Sequence, residues 1–194
     1  MKQFTFLVVA LLAFSTISSA QVDPSTLKKE IKEISKQESA LKKEKKEDMK
    51  ALRKLNGQEV SNQSRQQFQS DFAKATDVRW KRSPYFDEAT FTLDGKVKIA
   101  YYDHDAKLVG TTEILTFGEL PDKAQKVINE KYKDYKKGAV VFFDDNEFND
   151  TDMLLYGQQF DDEDNYFVEM SKSNEKMVVR VKPDGEVFFF TNLK

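Results

Sequence analysis

Between Ala73 and Thr112 the chain alternates apolar and polar residues at a period of two, punctuated by short turn sequences. Val78 and Trp80 alternate with Arg79 and Lys81, and Ala89, Phe91 and Leu93 alternate with Glu88, Thr90 and Thr92. Asp94-Gly95 separates two such runs and is a strong two-residue hairpin signal, because both positions must take a positive φ. In Lys96–Asp103, Val97, Ile99 and Tyr101 are expected to point inward and Lys98, Ala100 and Tyr102 outward. A turn at His104-Asp105-Ala106 then leads into a fourth strand, Lys107–Ile114. Such a chain folds as an antiparallel meander with one face on a core and the other toward water.

A helix at Val60–Ala75 precedes these strands, with Phe68, Phe72 and Ala75 on one face to cover the apolar side. Ser64 and Gln67 form a capping-box pattern at its start. The pattern then recurs. Leu120-Pro121 opens a second helix, with Leu120, Ala124, Val127, Ile128 and Tyr135 along one side and Lys136-Lys137-Gly138 as its end. Strands follow at Ala139–Phe143, Asn165–Met170, Lys176–Lys182 and Glu186–Leu193. The last hairpins of the two halves align at an offset of 79 residues and the helix-to-strand junctions at about 60, so about twenty extra residues fall in Asp144–Glu163. The expected fold class is α+β: a tandem repeat of helix plus four-stranded antiparallel meander, with repeat one at about 60–115 and repeat two at about 118–194.

The N-terminal region is of another kind. Lys2, the mostly apolar run Thr5–Phe14 and Ser18-Ser19-Ala20 have the layout of a secretory signal peptide over residues 1–20, too short in its apolar part to span a bilayer. No cysteine is present, which removes both disulfides and lipid attachment through a thioether. The expected location is periplasmic or extracellular, without stable membrane insertion after cleavage. Residues 21–57 read as a charged amphipathic helical arm: Leu27, Ile31, Ile34, Leu41, Leu52 and Leu55 recur at steps of three and four, interrupted by Glu38, Lys45 and Asp48. The arm carries net +4 over Val22–Gly57 and the remainder from Gln58 net −7. It is either a solvated helix or a short coiled coil that makes a homodimer through residues 22–57. Lys interleaved with Glu and no aromatic platform argue against nucleic acid.

Taken together, DVRWKR at 77–82, VKIAYYDHDAKLVGTT at 97–112, ELPDKAQKVINEKYKDY at 119–135, NYFVEMSK at 165–172 and PDGEV at 183–187 resemble the PepSY-like, beta-lactamase-inhibitor-like periplasmic proteins of Bacteroidetes-type bacteria. The landmarks are Trp80, Tyr101-Tyr102-Asp103, Leu120-Pro121 and Tyr166-Phe167-Val168-Glu169, and the likeness covers roughly residues 60–194. It implies that the strands of both units join in one curved sheet whose open face can grip another protein. The landmarks are structural, and a shared fold is weak evidence for a shared function.

Catalytic chemistry finds little support. The single histidine, His104, sits between two aspartates in an expected turn, where a solvated role is the ordinary one. No GxSxG, HExxH or glycine-rich phosphate loop occurs, and without Cys a transition metal lacks ligands. No catalytic, cofactor-binding or metal-binding residue is assigned and no cofactor is expected. The acidic clusters of 144–164 have hard oxygen ligands suited to Ca²⁺ but fail the EF-hand spacing, since Phe148 stands where a ligand belongs. They read as a solvated acidic loop. What remains is the outward sheet face, where alternation places Arg79, Lys81, Lys98, Tyr102, Arg180, Phe188 and Phe190. Arg and aromatic residues are what interface hot spots favour. The expected function is a non-enzymatic binding protein of the envelope, acting on an unknown protein partner. The alternative is a structural or assembly protein that self-associates through its arm.

Overall fold

The computed structural model describes residues 24–55, 57 and 59–193. The expected signal peptide at 1–20 lies outside the described residues. The chain divides into two compact units, one reaching to Lys45 and one running from Lys46 to Lys194. Helix α1, Pro24–Leu55, is continuous across that division. Pro24 suits a first helical position, since the N–H it lacks would have no partner there. The seam residues Leu27, Ile31, Ile34, Leu41, Leu52 and Leu55 are all exposed.

Helix α2, Asn62–Asp71, starts one turn earlier than the capping-box pattern implies. Ser61 is the N-cap, its Oγ accepting from the Ser64 backbone N–H. Ser64 is buried, and its hydroxyl donates to Asp87 Oδ2 at 2.8 Å. The Ser61 N–H donates to the same oxygen. Asp87 is buried and pairs with the Arg82 guanidinium at 3.6 Å, so a compensated charge fastens the start of α2 to the sheet.

The strands β1 (Thr76–Arg82), β2 (Asp87–Leu93), β3 (Lys96–Tyr102) and β4 (Leu108–Leu115) follow α2. A 3₁₀ turn at Phe117–Glu119 leads to α3 (Asp122–Lys131), and then come β5 (Lys136–Asp145), the short β6 (Leu154–Leu155) and β7 (Gln158–Gln159), β8 (Asn165–Lys172), β9 (Glu175–Val181) and β10 (Val187–Asn192). Eight of these form one sheet in the order β1-β2-β3-β4-β5-β8-β9-β10, every neighbour antiparallel. β6 and β7 pair only with each other. α3 ends at Lys131, and Lys136-Lys137-Gly138, expected to terminate it, belongs to β5.

Each helix covers its own part of one sheet face. Phe68 of α2 packs on Ala89, Phe91, Ala100 and Tyr102, with Phe72, Ala75 and Trp80 at the margin. Leu120, Ala124, Ile128 and Tyr132 pack on Val140, Val168, Met170, Met177, Val179 and Val181. The inward and outward sets of β3 are therefore the reverse of the expected ones: Ala100 and Tyr102 face α2, and Tyr101 and Ile99 face away. The hairpin fixes this. Asp94 (φ 50°) and Gly95 (φ 79°) make a two-residue turn that pairs Leu93 with Lys96. With Phe91 and Leu93 toward the helix, the even-numbered residues of β3 must follow.

The residues 146–164 are not the solvated acidic loop that their charge suggests. Tyr156 and Gly157, both at positive φ, turn β6 into β7. This hairpin lies against the sheet face opposite the helices. Met153 and Phe160 are 1% and 5% exposed, buried with Phe86, Tyr101, Val109, Phe143, Phe167 and Val178. Phe160 packs edge-to-face on Phe143 and tilted on Phe167, at 5.2 and 4.9 Å between ring centroids, and Phe190 closes the group. Fully burying one such ring contributes about 2 kcal/mol, enough to hold a short hairpin that could not stand alone.

Candidate functional site

The expected site residues separate into three places. Tyr102 is fully buried on the helix side, its hydroxyl donating to Asp71 Oδ2 at 2.9 Å, and burial and that carboxylate push its pKa well up. Lys98 shares that side and pairs with Glu113 at 3.7 Å. Neither points away from the helices, for the register reason given above. Arg79 and Lys81 do lie on the opposite face, on edge strand β1, where Lys81 pairs with Glu88 at 3.4 Å. Arg180 and Phe188 lie on that face too, at its far end, as directly opposed residues of β9 and β10. The Arg180 guanidinium stands 5.8 Å from the Phe188 ring centroid and 3.8 Å from Glu163. Phe190 is partly buried beneath the hairpin. Six strand spacings of about 4.8 Å put β1 about 29 Å from β9, so the seven residues do not make one site.

The face opposite the helices has a covered and an uncovered part. The cover is anchored at one end of the strands by Asp103, buried in the turn after β3. Its Oδ1 accepts from the backbone N–H groups of Asp105 and Lys107, and its Oδ2 accepts from Asn149 Nδ2 at 3.1 Å and from the Thr151 hydroxyl. At the hairpin tip Tyr156 donates its hydroxyl to Glu169 Oε1 at 3.0 Å, and burial ahead of that carboxylate raises its pKa. Beneath, the Tyr101 hydroxyl is 3.0 Å from that of Thr112, and burial pushes its pKa up to about 12.

Beyond the cover the face is open. Val97 and Ile114 stand on adjacent strands, each one residue beyond the Lys98–Glu113 pair, and are 62% and 67% exposed. Thr92 opposes Val97, Val141 opposes Ile114, and Thr90 opposes Arg79. The result is a β-branched apolar patch with threonines beside it and Arg79 on its rim, whereas Lys81 is level with Glu88 and Tyr101, toward the cover. Sequence reasoning missed Val97 and Ile114 because it counted Val97 as core. The Leu93–Lys96 turn pairing was the signal that would have turned it outward.

The acidic segment holds carboxylates in unlike settings. Asp145 is pushed up to about 7, first by desolvation, then by its hydrogen bond to Asp162 and the charges of Asp162 and Asp164. Asp144 is raised as well, again chiefly by desolvation, with Asp164 adding to it. Among the described residues no three His, Asp or Glu side chains converge where they could hold a metal ion. His104 is a turn residue 3.4 Å from Asp105.

No protein-family model matches this chain, and no curated protein matches it. Solved structures do. A BLIP-like protein from Bacteroides fragilis superposes with a TM-score of 0.55 at 17% identity, covering 70% of this chain and 87% of that one. A DUF2874 family protein from Bacteroides uniformis gives 0.57 at 16% identity, covering 69% and 90%. A "putative periplasmic" protein from Bacteroides eggerthii gives 0.57 at 16% identity, covering 69% and 89%. At these identities the shared property is the fold: α+β, with a large antiparallel sheet, of the BLIP-like kind. Among the described residues no helix is long and apolar enough to cross a membrane.

Proposed function

We propose that this chain is a non-enzymatic binding protein of the cell envelope, exported by residues 1–20, that holds a protein partner on the uncovered part of its sheet. The observation that carries the reading is the side-by-side exposure of Val97 and Ile114 in the interior of a sheet face. Exposed apolar patches rimmed by polar and charged groups mark contact surfaces. Arg79 supplies a cation at one margin, so the partner surface that fits is apolar at its centre and acidic at that margin. Restraint of a peptidase or another envelope protein is the role in keeping with a BLIP-like fold. The two successions of helix and four sheet strands, α2 with β1–β4 and α3 with β5 and β8–β10, support descent from one duplicated unit of about 60 residues.

The test is affinity capture from an envelope extract with the wild-type chain and with Val97→Asp/Ile114→Asp. A partner held by the wild type and lost in the double variant, with unchanged circular dichroism, supports the reading. Equal capture by both refutes it.

A second reading, self-association through α1, is favoured by the exposure of Leu27, Ile31, Ile34, Leu41, Leu52 and Leu55 along one 32-residue helix. Leu41→Glu should then abolish any dimer, whereas an unchanged mass distribution removes this option.

A further inference from the structure

Among the described residues the eight-stranded sheet ends in two unpaired edges, β1 and β10. They differ in how they meet water. β1 carries Asp77, Arg79, Lys81 and Arg82, and Asp77 sits at φ 54° beside a register shift in its pairing with β2. Charge and a bulge on an edge are the devices that stop strands from pairing between molecules. β10 reads VFFFTN and is the one strand of the eight without a charged residue. Phe188 and Phe189 project to opposite faces, opposing Arg180 and Val179, and are 41% and 56% exposed.

We infer that β10 is a self-pairing edge, and that two copies of this chain join antiparallel along it into one continuous sheet. A two-fold axis brings identical strands together, and an uncharged strand is the kind that can meet its own copy without like charges in opposition. Pairing about Phe189 sets that ring beside its counterpart on the helix side, and Phe188 beside Phe190 of the second copy on the other side. The β-bulge between Phe189 and Thr191 breaks the ladder into two short runs. A contact confined to one six-residue strand is smaller than the roughly 800 Å² per partner of a standard interface, which makes the dimer weak and dependent on concentration. This pairing is independent of the Val97–Ile114 surface and of α1.

Sedimentation equilibrium on the chain without its first 20 residues, from micromolar to millimolar, tests it. The expected result is a monomer–dimer equilibrium whose dissociation constant rises at least tenfold in Phe189→Lys and is unchanged in Leu41→Glu. Amide exchange supplies a readout free of folding concerns: protection in Val187–Asn192 should grow with concentration while that in Thr76–Arg82 stays constant. A monomer at every concentration overturns the inference. So does a dimer lost in Leu41→Glu but retained in Phe189→Lys. Open-ended oligomers with protection at both edges point to β1–β10 pairing and overturn it as well.

Discussion

The sheet face turned away from the two helices contains two regions of similar composition and opposite fate. Under the β6–β7 hairpin, Phe143, Phe167 and Val178 are fully buried. A short distance away, Val97 and Ile114 have the same chemistry and stand in water. The difference is one segment of chain: Met153 and Phe160 cover the first region, and none of the described residues covers the second. Burying the face makes a second core, and leaving part of it apolar and bare supplies the surface on which the proposed binding role rests. Substitutions on the two sides of this line should therefore behave in opposite ways.

The largest effect is expected from Phe160→Ala, which empties the centre of the ring cluster formed with Phe143, Phe167 and Phe190. Such a truncation costs about 3–5 kcal/mol, measurable by urea unfolding. A loss below about 1 kcal/mol would mean that the hairpin rests on the sheet without being part of its core.

Asp103→Ala comes next. It removes the acceptor of the Asp105 and Lys107 N–H groups and one of two acceptors of the Asn149 amide, which keeps the Leu108 carbonyl, at about 1–3 kcal/mol. Amide exchange should accelerate first in 149–160. Uniform acceleration across all strands would show that cover and sheet open as one.

The base of the cover should also respond to pH. Asp145 has a raised folded pKa, so the native state favours its protonated form. Its stabilising contribution is complete below the ordinary aspartate range of about 4 and is lost as pH rises through about 7. Melting temperature should fall over that interval by a few degrees, and Asp145→Asn should flatten this part of the profile and raise the melting point at pH 7.5. A profile identical to wild type in the variant would remove Asp145 as its source.

The smallest effect belongs to the open region. Val97→Ser with Ile114→Ser should change stability by no more than about 0.5 kcal/mol, since neither side chain leaves a packed site.

Much of this architecture was legible in the sequence, and the exceptions have physical causes. Period-two alternation and the turns at Asp94-Gly95 and Pro183-Asp184-Gly185 located all eight strands of the sheet, because turn chemistry and pleat geometry are local. The inward and outward sets of β3 were not legible from alternation alone. In KVKIAYY the odd-numbered residues are the more apolar, so alternation assigns them to the core, yet only the Ala100–Tyr102 end is buried on both faces, and Val97 stands exposed. The segment 144–164 misled in a related way. Its aspartates dominate the composition, while Met153-Leu154-Leu155-Tyr156 and Phe160, which decide where it lies, make too short a run to read as a strand among them. Ser64 resembled a cap by spacing, yet its hydroxyl serves Asp87 across 23 residues, a tertiary contact that no local pattern encodes.

The central claim is that the bare apolar region receives a partner while the covered one never does. Site-specific photocrosslinking in living cells puts this directly, with the crosslinking residue placed in turn at Val97, Ile114 and Phe160. Discrete adducts from positions 97 and 114, and none from 160, are the predicted result. No adduct at 97 and 114, or the same adducts from all three positions, would contradict it.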